Sequence, residues 1–194
     1  MKAIWQRSFA AFAGPGIDRP AAMMRVSDEE AHARLAELAV FDWLPAVYTG
    51  SGRHLGYRVC NATNSWSTAI FYAEDIVGFY CGSYLWIARP HRKAGLSTPL
   101  ILAAATQRGG SIMPPGVVHQ GYTAEGVAVH RQAHRHAVQA ALAAGLPVPA
   151  AVIKEARLDD DELASPRRVK VHPAAVEPGA GQPPAQSKIE RPGR

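Results

Sequence analysis

The chain has 194 residues, of which 47% are hydrophobic and 19% charged, with a net charge of +5; that is enough for one good core and too little for two comfortable domains. No apolar run approaches the roughly 20 residues needed to cross a bilayer, and Gln6 and Arg7 interrupt the stretch that a secretion signal would need as an unbroken apolar core, so the expectation is a cytoplasmic globular protein. Residues 166–194 hold six Lys or Arg against two Glu, which leaves only +1 for residues 1–165 and argues against a dedicated nucleic-acid face on the body.

In chain order, Gly14-Pro15-Gly16 and Pro20 break residues 1–26, which have room for a short strand or a turn of helix. Ser27 with Glu30 three residues on forms a capping-box pattern, and the acidic run Asp28 to Glu30 sits at the positive end of the helix dipole. A helix to about Val40 follows, ended by Phe41 to Pro45. Trp43 and Tyr48 read as packing beneath a loop, with the lining of a pocket as the alternative. Leu55 to Cys60, Trp66 to Tyr72, Ile76 to Cys81 and Tyr84 to Ala88 then read as strands joined by short turns, an antiparallel meander. Glu74 and Asp75 are solvated residues of a bend. Cys60 and Cys81 have no metal-ligand spacing and read as reduced packing residues.

The strand from Tyr84 to Ala88 stops at Arg89-Pro90, because proline has no amide to give a ladder. A basic turn, Arg92-Lys93-Ala94-Gly95-Leu96-Ser97, leads into an alanine-rich helix over Leu96 to Thr106 that Gly109-Gly110 closes. A strand feeding a glycine turn and a helix N-terminus is a cradle for an anion, since unpaired amides and the helix dipole both face it.

The pattern R-x-x-G-x-[small] over Arg92 to Ser97, with the strands Ile76 to Tyr80 and Tyr84 to Ala88 before it and the helix after it, resembles the pyrophosphate-binding segment of the GNAT superfamily of acyl-CoA N-acyltransferases. The resemblance spans roughly residues 55–145. It implies an α+β fold with a mixed, largely antiparallel central sheet flanked by helices, in which acyl-CoA lies between splayed central strands. It implies acetyl-CoA as acyl donor and direct attack by an amine acceptor, either a small molecule or a protein. By the same resemblance the edge of Leu85, Ile87 and Ala88 bonds the pantetheine arm, and Arg92, Lys93, Ala94, Gly95, Leu96 and Ser97 hold the pyrophosphate. The family has glycine or alanine where Ser97 stands.

Ser111 to Val118 offers one short extended segment. Thr123 caps a helix over Ala124 to Ala144, closed by Gly145 and Pro147. This helix has no tyrosine where the family places one near the departing thiolate, so Tyr122, His130 and His134 are the catalytic candidates. His130 and His134 share a face at metal-ligand spacing, but Arg131 and Arg135 lie between and beside them and no metal is assigned; with His136, and His119 upstream, they read foremost as a solvated polar face. Val148 to Ile153 reads as a strand and Lys154 to Leu163 as a charged helical segment. The family ends with a strand pair, so its last strand either comes from a second subunit of a homodimer or is absent. Residues 27–165 form the acyltransferase-like domain, and residues 166–194, with six prolines and almost no apolar content, read as a disordered basic tail. An interaction protein that has lost turnover and presents this tail to a partner is the alternative function, and a tail-assisted nucleic-acid binder is a third.

Overall fold

In the computed structural model, which describes residues 2–14, 17, 27–113 and 122–156, five strands form one antiparallel sheet. They are β1 (Tyr48–Thr49), β2 (Tyr57–Asn61), β3 (Thr68–Tyr72), β4 (Asp75–Cys81) and β5 (Tyr84–Ile87), and their order in the sheet is their order in the chain. Two-residue turns join β3 to β4 and β4 to β5, so each strand folds back on the one before it. Side chains alternate between the faces. Val59, Ile70, Tyr80, Leu85 and Ile87 belong to one core, while Phe79 and Trp86 belong to another on the opposite face. Where Phe71 pairs Ile76 but Ile70 pairs Gly78, Val77 is an extra residue, a bulge that keeps both Val77 and Tyr80 on the first face.

Five helices complete the fold: α1 (Phe9–Ala13), α2 (Asp28–Leu38), α3 (Ser97–Gln107), α4 (Ala124–Ala143) and α5 (Ala150–Glu155). Helix α2 seals the Phe79 face through Ala31 and Leu38, both fully buried beside the stacked rings of Phe79 and Trp86. A side chain of that size contributes about 1.5–3 kcal/mol when fully buried. Its start has both halves of the capping box, Ser27 to the Glu30 amide and Glu30 to the Ser27 amide. Helix α3 seals the other face through Leu100, Ile101 and Ala104, and α4 packs on α3. The small alanines along both helices allow this close approach. Helix α3 ends in a Schellman motif, with the Gly110 amide on the Ala105 carbonyl and the Gly109 amide on that of Thr106.

The fold is therefore α+β, with an antiparallel central sheet flanked by helices, as the strand meander and helix caps predict. Two local expectations change, and for the described part of residues 1–26 the helical one of the two alternatives holds. Val148 to Ile153 is not a strand: after Pro149 the chain turns into α5, where Val152 docks on Val138 of α4. Prolines at 147 and 149 remove the amides a strand needs, while Ala150 and Ala151 favour helix. The described part of residues 1–26 is helical, a 3-10 turn at Ile4–Gln6 followed by α1 capped by Ser8. The strands at 76–80 and 84–88 are not splayed but paired along their length, from Gly78 with Ile87 to Cys81 with Tyr84. The outer edge of β5 carries no further strand among the described residues. Residues 114–118 of the expected extended segment, His119, the end of the charged segment beyond Ala156 and the tail lie outside the described residues. No helix among the described residues is long and apolar enough to cross a membrane.

Candidate functional site

The end of β5 and the start of α3 meet at one end of the sheet. After Ile87 the chain makes a 3-10 turn, Arg89–His91, and then enters the stretch from Arg92 to Ser97. Lys93 and Gly95 both have positive φ, 63° and 81°. Leu96 occupies the N-cap of α3 with no capping oxygen, and Pro99 in the first turn has no amide hydrogen. By contrast Ser8, Ser27 and Thr123 each cap their helix with a side-chain hydroxyl. Among the described residues, none of the amides from Lys93 to Ser97 donates a hydrogen bond, and that of Thr98 reaches the Gly95 carbonyl only at 3.4 Å. A row of five donors is thus left at the positive end of an 11-residue helix.

The residues predicted for this cradle come together there. Leu85 and Ile87 lie on the α3 side of β5, packed against the main core, and the Ala88 amide turns inward to the Val77 carbonyl. Leu96 is buried and anchors the turn, Ala94 and Ser97 are half-buried, and Lys93 is exposed. Arg92 is placed differently from the sequence expectation of charge over the cradle. Its Nε donates to the Ile87 carbonyl at 2.6 Å, and its guanidinium lies 3.8 Å from the Asp28 carboxylate, which also pairs with Arg89 at 3.2 Å. Arg92 therefore braces the turn against the N-terminus of α2.

The cation over the cradle is Arg53, on the 3-10 turn Gly52–His54 between β1 and β2. A Cβ placed on Gly95 would stand 3.0 Å from its guanidinium, which makes no ion pair or hydrogen bond among the described residues. The next residue locks this turn down. His54 Nε2 is 2.6 Å from the Ala94 carbonyl oxygen, and its Nδ1 is 2.7 Å from the Tyr48 hydroxyl. A carbonyl only accepts, so Nε2 carries a proton, and in the tautomer with the proton there Nδ1 accepts from the Tyr48 hydroxyl. Burial pushes the Tyr48 phenol up and the nearby Arg53 charge pulls it partly back. A second such pair, Tyr57 hydroxyl and His91 Nδ1 at 2.8 Å, ties the turn after β5 to β2. Arg53, His54, Tyr57 and His91 carry no sequence signal of their own, because each gains its role from a partner 34 or more residues away or from the fold of the β1–β2 loop.

The catalytic candidates lie elsewhere, in the core between α4, the sheet and the N-terminal segment. His130 and His134 are both 2% exposed and Tyr122 is 7% exposed. This corrects the solvated reading of that helix face: His130, Ala133, His134, Ala137, Val138 and Ala141 form its buried stripe. His130 Nδ1 donates to the Gly126 carbonyl at 2.6 Å and Nε2 accepts from the Tyr80 hydroxyl at 3.0 Å. His134 donates to the Arg7 carbonyl at 2.9 Å and its ring packs on Phe9 and Phe12. Tyr122 donates to the Ala13 carbonyl at 2.8 Å. Burial drives the Tyr122 phenol far up and that of Tyr80 up to about 12, and it lowers His134 and His136. All three candidates are therefore buried, hydrogen-bonded core groups.

A cleft of about 180 Å³ opens on the opposite face of the sheet, lined by Glu30, Ala33, Arg34, Glu37, Phe79 and Tyr84. Among the described residues no three of His, Cys, Asp or Glu gather as they would around a metal ion. No family model, no curated protein and no solved structure matches this chain.

Proposed function

We propose that this chain is an acyl-CoA-dependent N-acyltransferase of the GNAT type, with acetyl-CoA as its donor. The observation that carries this reading is the uncapped row of amides from Lys93 to Ser97, set at the end of an edge strand and overlooked by the unpaired Arg53 guanidinium. Such a row suits the pyrophosphate of CoA, with the helix dipole adding to each hydrogen bond. From there the pantetheine arm would follow the outer edge of β5 at Leu85, whose backbone groups face away from β4, since the Ile87 carbonyl is bonded by Arg92 and the Ala88 amide by Val77. The thioester would then lie near the start of β5. An amine approaching from the α2 face meets a cleft lined by Glu30, Arg34, Glu37 and Tyr84, in which Glu37 is paired with Arg34. Direct attack of the neutral amine on the thioester carbonyl forms the C–N bond as the C–S bond breaks, and the proton lost from nitrogen ends on the departing thiolate, giving the amide and CoA thiol.

A second reading, a fold that binds acyl-CoA without turnover and acts through its basic tail, is favoured by one specific observation. Tyr122, His130 and His134 are all sequestered and hydrogen-bonded within the core. One experiment separates the two. The full chain is incubated with acetyl-CoA and a panel of amines, and both free thiol and acetylated product are followed. Acceptor-dependent thiol release with matching product supports the enzyme. Saturable binding of acetyl-CoA with no product from any amine supports the silent fold, and no binding at millimolar ligand removes both.

A further inference from the structure

We infer that the ring of Tyr72 is a stacking platform for the purine base at the nucleotide end of the acyl donor, an assignment that rests on the acyl-CoA reading above. Tyr72 is the last residue of β3 and pairs across the sheet with Tyr57. Its ring is held on three sides: 4.8 Å from the Tyr57 ring, 5.5 Å from the His91 ring, and against Gly56. A Cβ at Gly56 would approach a Tyr72 ring carbon to 3.0 Å, and the φ of +87° there suits only glycine. The ring is thus fixed in place, yet Tyr72 remains 46% exposed and its hydroxyl makes no hydrogen bond among the described residues. Leu55, the neighbour of Gly56 in the chain, is 75% exposed.

This aromatic surface is joined to the amide row by a short, braced connection. His91, which touches the Tyr72 ring and bonds the Tyr57 hydroxyl, lies two positions before Lys93, where the free amides begin. A diphosphate seated on those amides would place its nucleoside on the side of the turn where His91 meets the Tyr72 ring. A flat ring with apolar faces and a polar rim is the group that such a platform recognises, by stacking and without base-specific hydrogen bonds. Among the described residues the other exposed aromatic ring, Trp66 at 45%, has no ring neighbour to hold it as Tyr57 and His91 hold Tyr72.

The test titrates the full chain with etheno-CoA, whose base loses fluorescence when it stacks on an aromatic ring, and with S-acetylpantetheine, which has no nucleotide. The variants are Tyr72→Phe, which keeps the ring, and Tyr72→Ser, which removes it; thermal melts report their folding. The inference predicts quenching on binding to the native chain and to Tyr72→Phe. It predicts no quenching and roughly tenfold weaker binding by Tyr72→Ser. S-acetylpantetheine should be indifferent to both changes. Binding of etheno-CoA to the native chain without quenching overturns the platform and leaves the acyl-CoA reading standing, and this holds even if Tyr72→Ser does not fold. Equal affinity in a folded Tyr72→Ser overturns it as well. Failure of the native chain to bind etheno-CoA or acetyl-CoA removes both inferences.

Discussion

His54 holds Ala94 across 40 residues of chain: its Nε2 donates to the Ala94 carbonyl at 2.6 Å, so the β1–β2 loop and the turn before α3 are one rigid unit. The bond fixes the free amides that follow and sets Arg53 above them. His54→Ala should cost about 1–3 kcal/mol of unfolding free energy, as the loss of two half-buried hydrogen bonds does. It should also weaken acetyl-CoA binding beyond what that stability loss implies, because the loop and its cation come free together. Tyr48→Phe, which removes only the outer link, should show a smaller loss of affinity. Chemical denaturation beside titration of each variant checks both statements.

Arg108, at the C-cap of α3, is 6% exposed and spends its charge on carbonyl oxygens. Its guanidinium donates to Ile112 at 2.6 Å, Trp66 at 2.5 Å and Gly82 at 3.2 Å, and lies 4.8 Å over the Tyr80 ring. Burial lowers its pKa, while neighbouring Tyr80, Cys81 and Tyr122 pull the other way. It ties the β2–β3 loop, the β4–β5 turn and the end of α3 together. Arg108→Met should cost about 2–4 kcal/mol, since three carbonyls lose their donor in a site that water enters poorly. A fall in the urea midpoint with unchanged slope would report this.

His134 makes stability depend on acid. Burial, assisted by the Arg131 charge, lowers its pKa in the folded chain, partly opposed by the Arg7 carbonyl and Glu155. The unfolded histidine titrates near 6.5, so the unfolded state takes up the proton first as pH falls. The contribution is therefore complete above about pH 6.5 and is lost as pH drops from there through the lowered folded value, by at most about 1.4 kcal/mol per pH unit. His136, lowered by burial, adds in the same window. His134→Phe keeps the ring beside Phe9 and Phe12 and cannot titrate. Melting at pH 7.5 and 5.5 should show a smaller drop in Tm for this variant than for the native chain.

The sheet and the three longer helices are legible in the sequence because their signals are local. Ser27 with Glu30, Thr123 and the Gly109-Gly110 pair are chemical stops and starts, and β3 and β4 announce themselves by aromatic and β-branched runs around a short bend. The two-residue β1 and the five-residue α1 carry too little pattern to be read and are held by tertiary contacts, Tyr48 through His54 and Phe12 through His134. The buried histidines of α4 were hidden by alanine: a stripe of Ala133, Ala137 and Ala141 looks weakly apolar, although the spacing 130, 133, 134, 137, 138, 141 marks one face. At the cradle, Gly95 and the helix start were visible. The exchange of roles between Arg92 and Arg53 was not, because it depends on where Asp28 and the β1–β2 loop fall in space.

The central claim is that the amides from Lys93 to Ser97 bind the pyrophosphate of an acyl-CoA, and calorimetric titration with acetyl-CoA tests it most directly. The native chain is compared with Gly95→Val, whose Cβ would crowd Arg53 at a φ of +81°, and with Arg53→Ala, which leaves the backbone untouched. A left-handed valine costs roughly 1–2 kcal/mol, so melts must show the variant folded. The account predicts saturable binding by the native chain, a loss of at least roughly tenfold for Arg53→Ala as a charge-assisted contact disappears, and no measurable binding by folded Gly95→Val. No heat and no thermal stabilisation of the native chain at millimolar acetyl-CoA, or equal affinity in all three proteins, would contradict it.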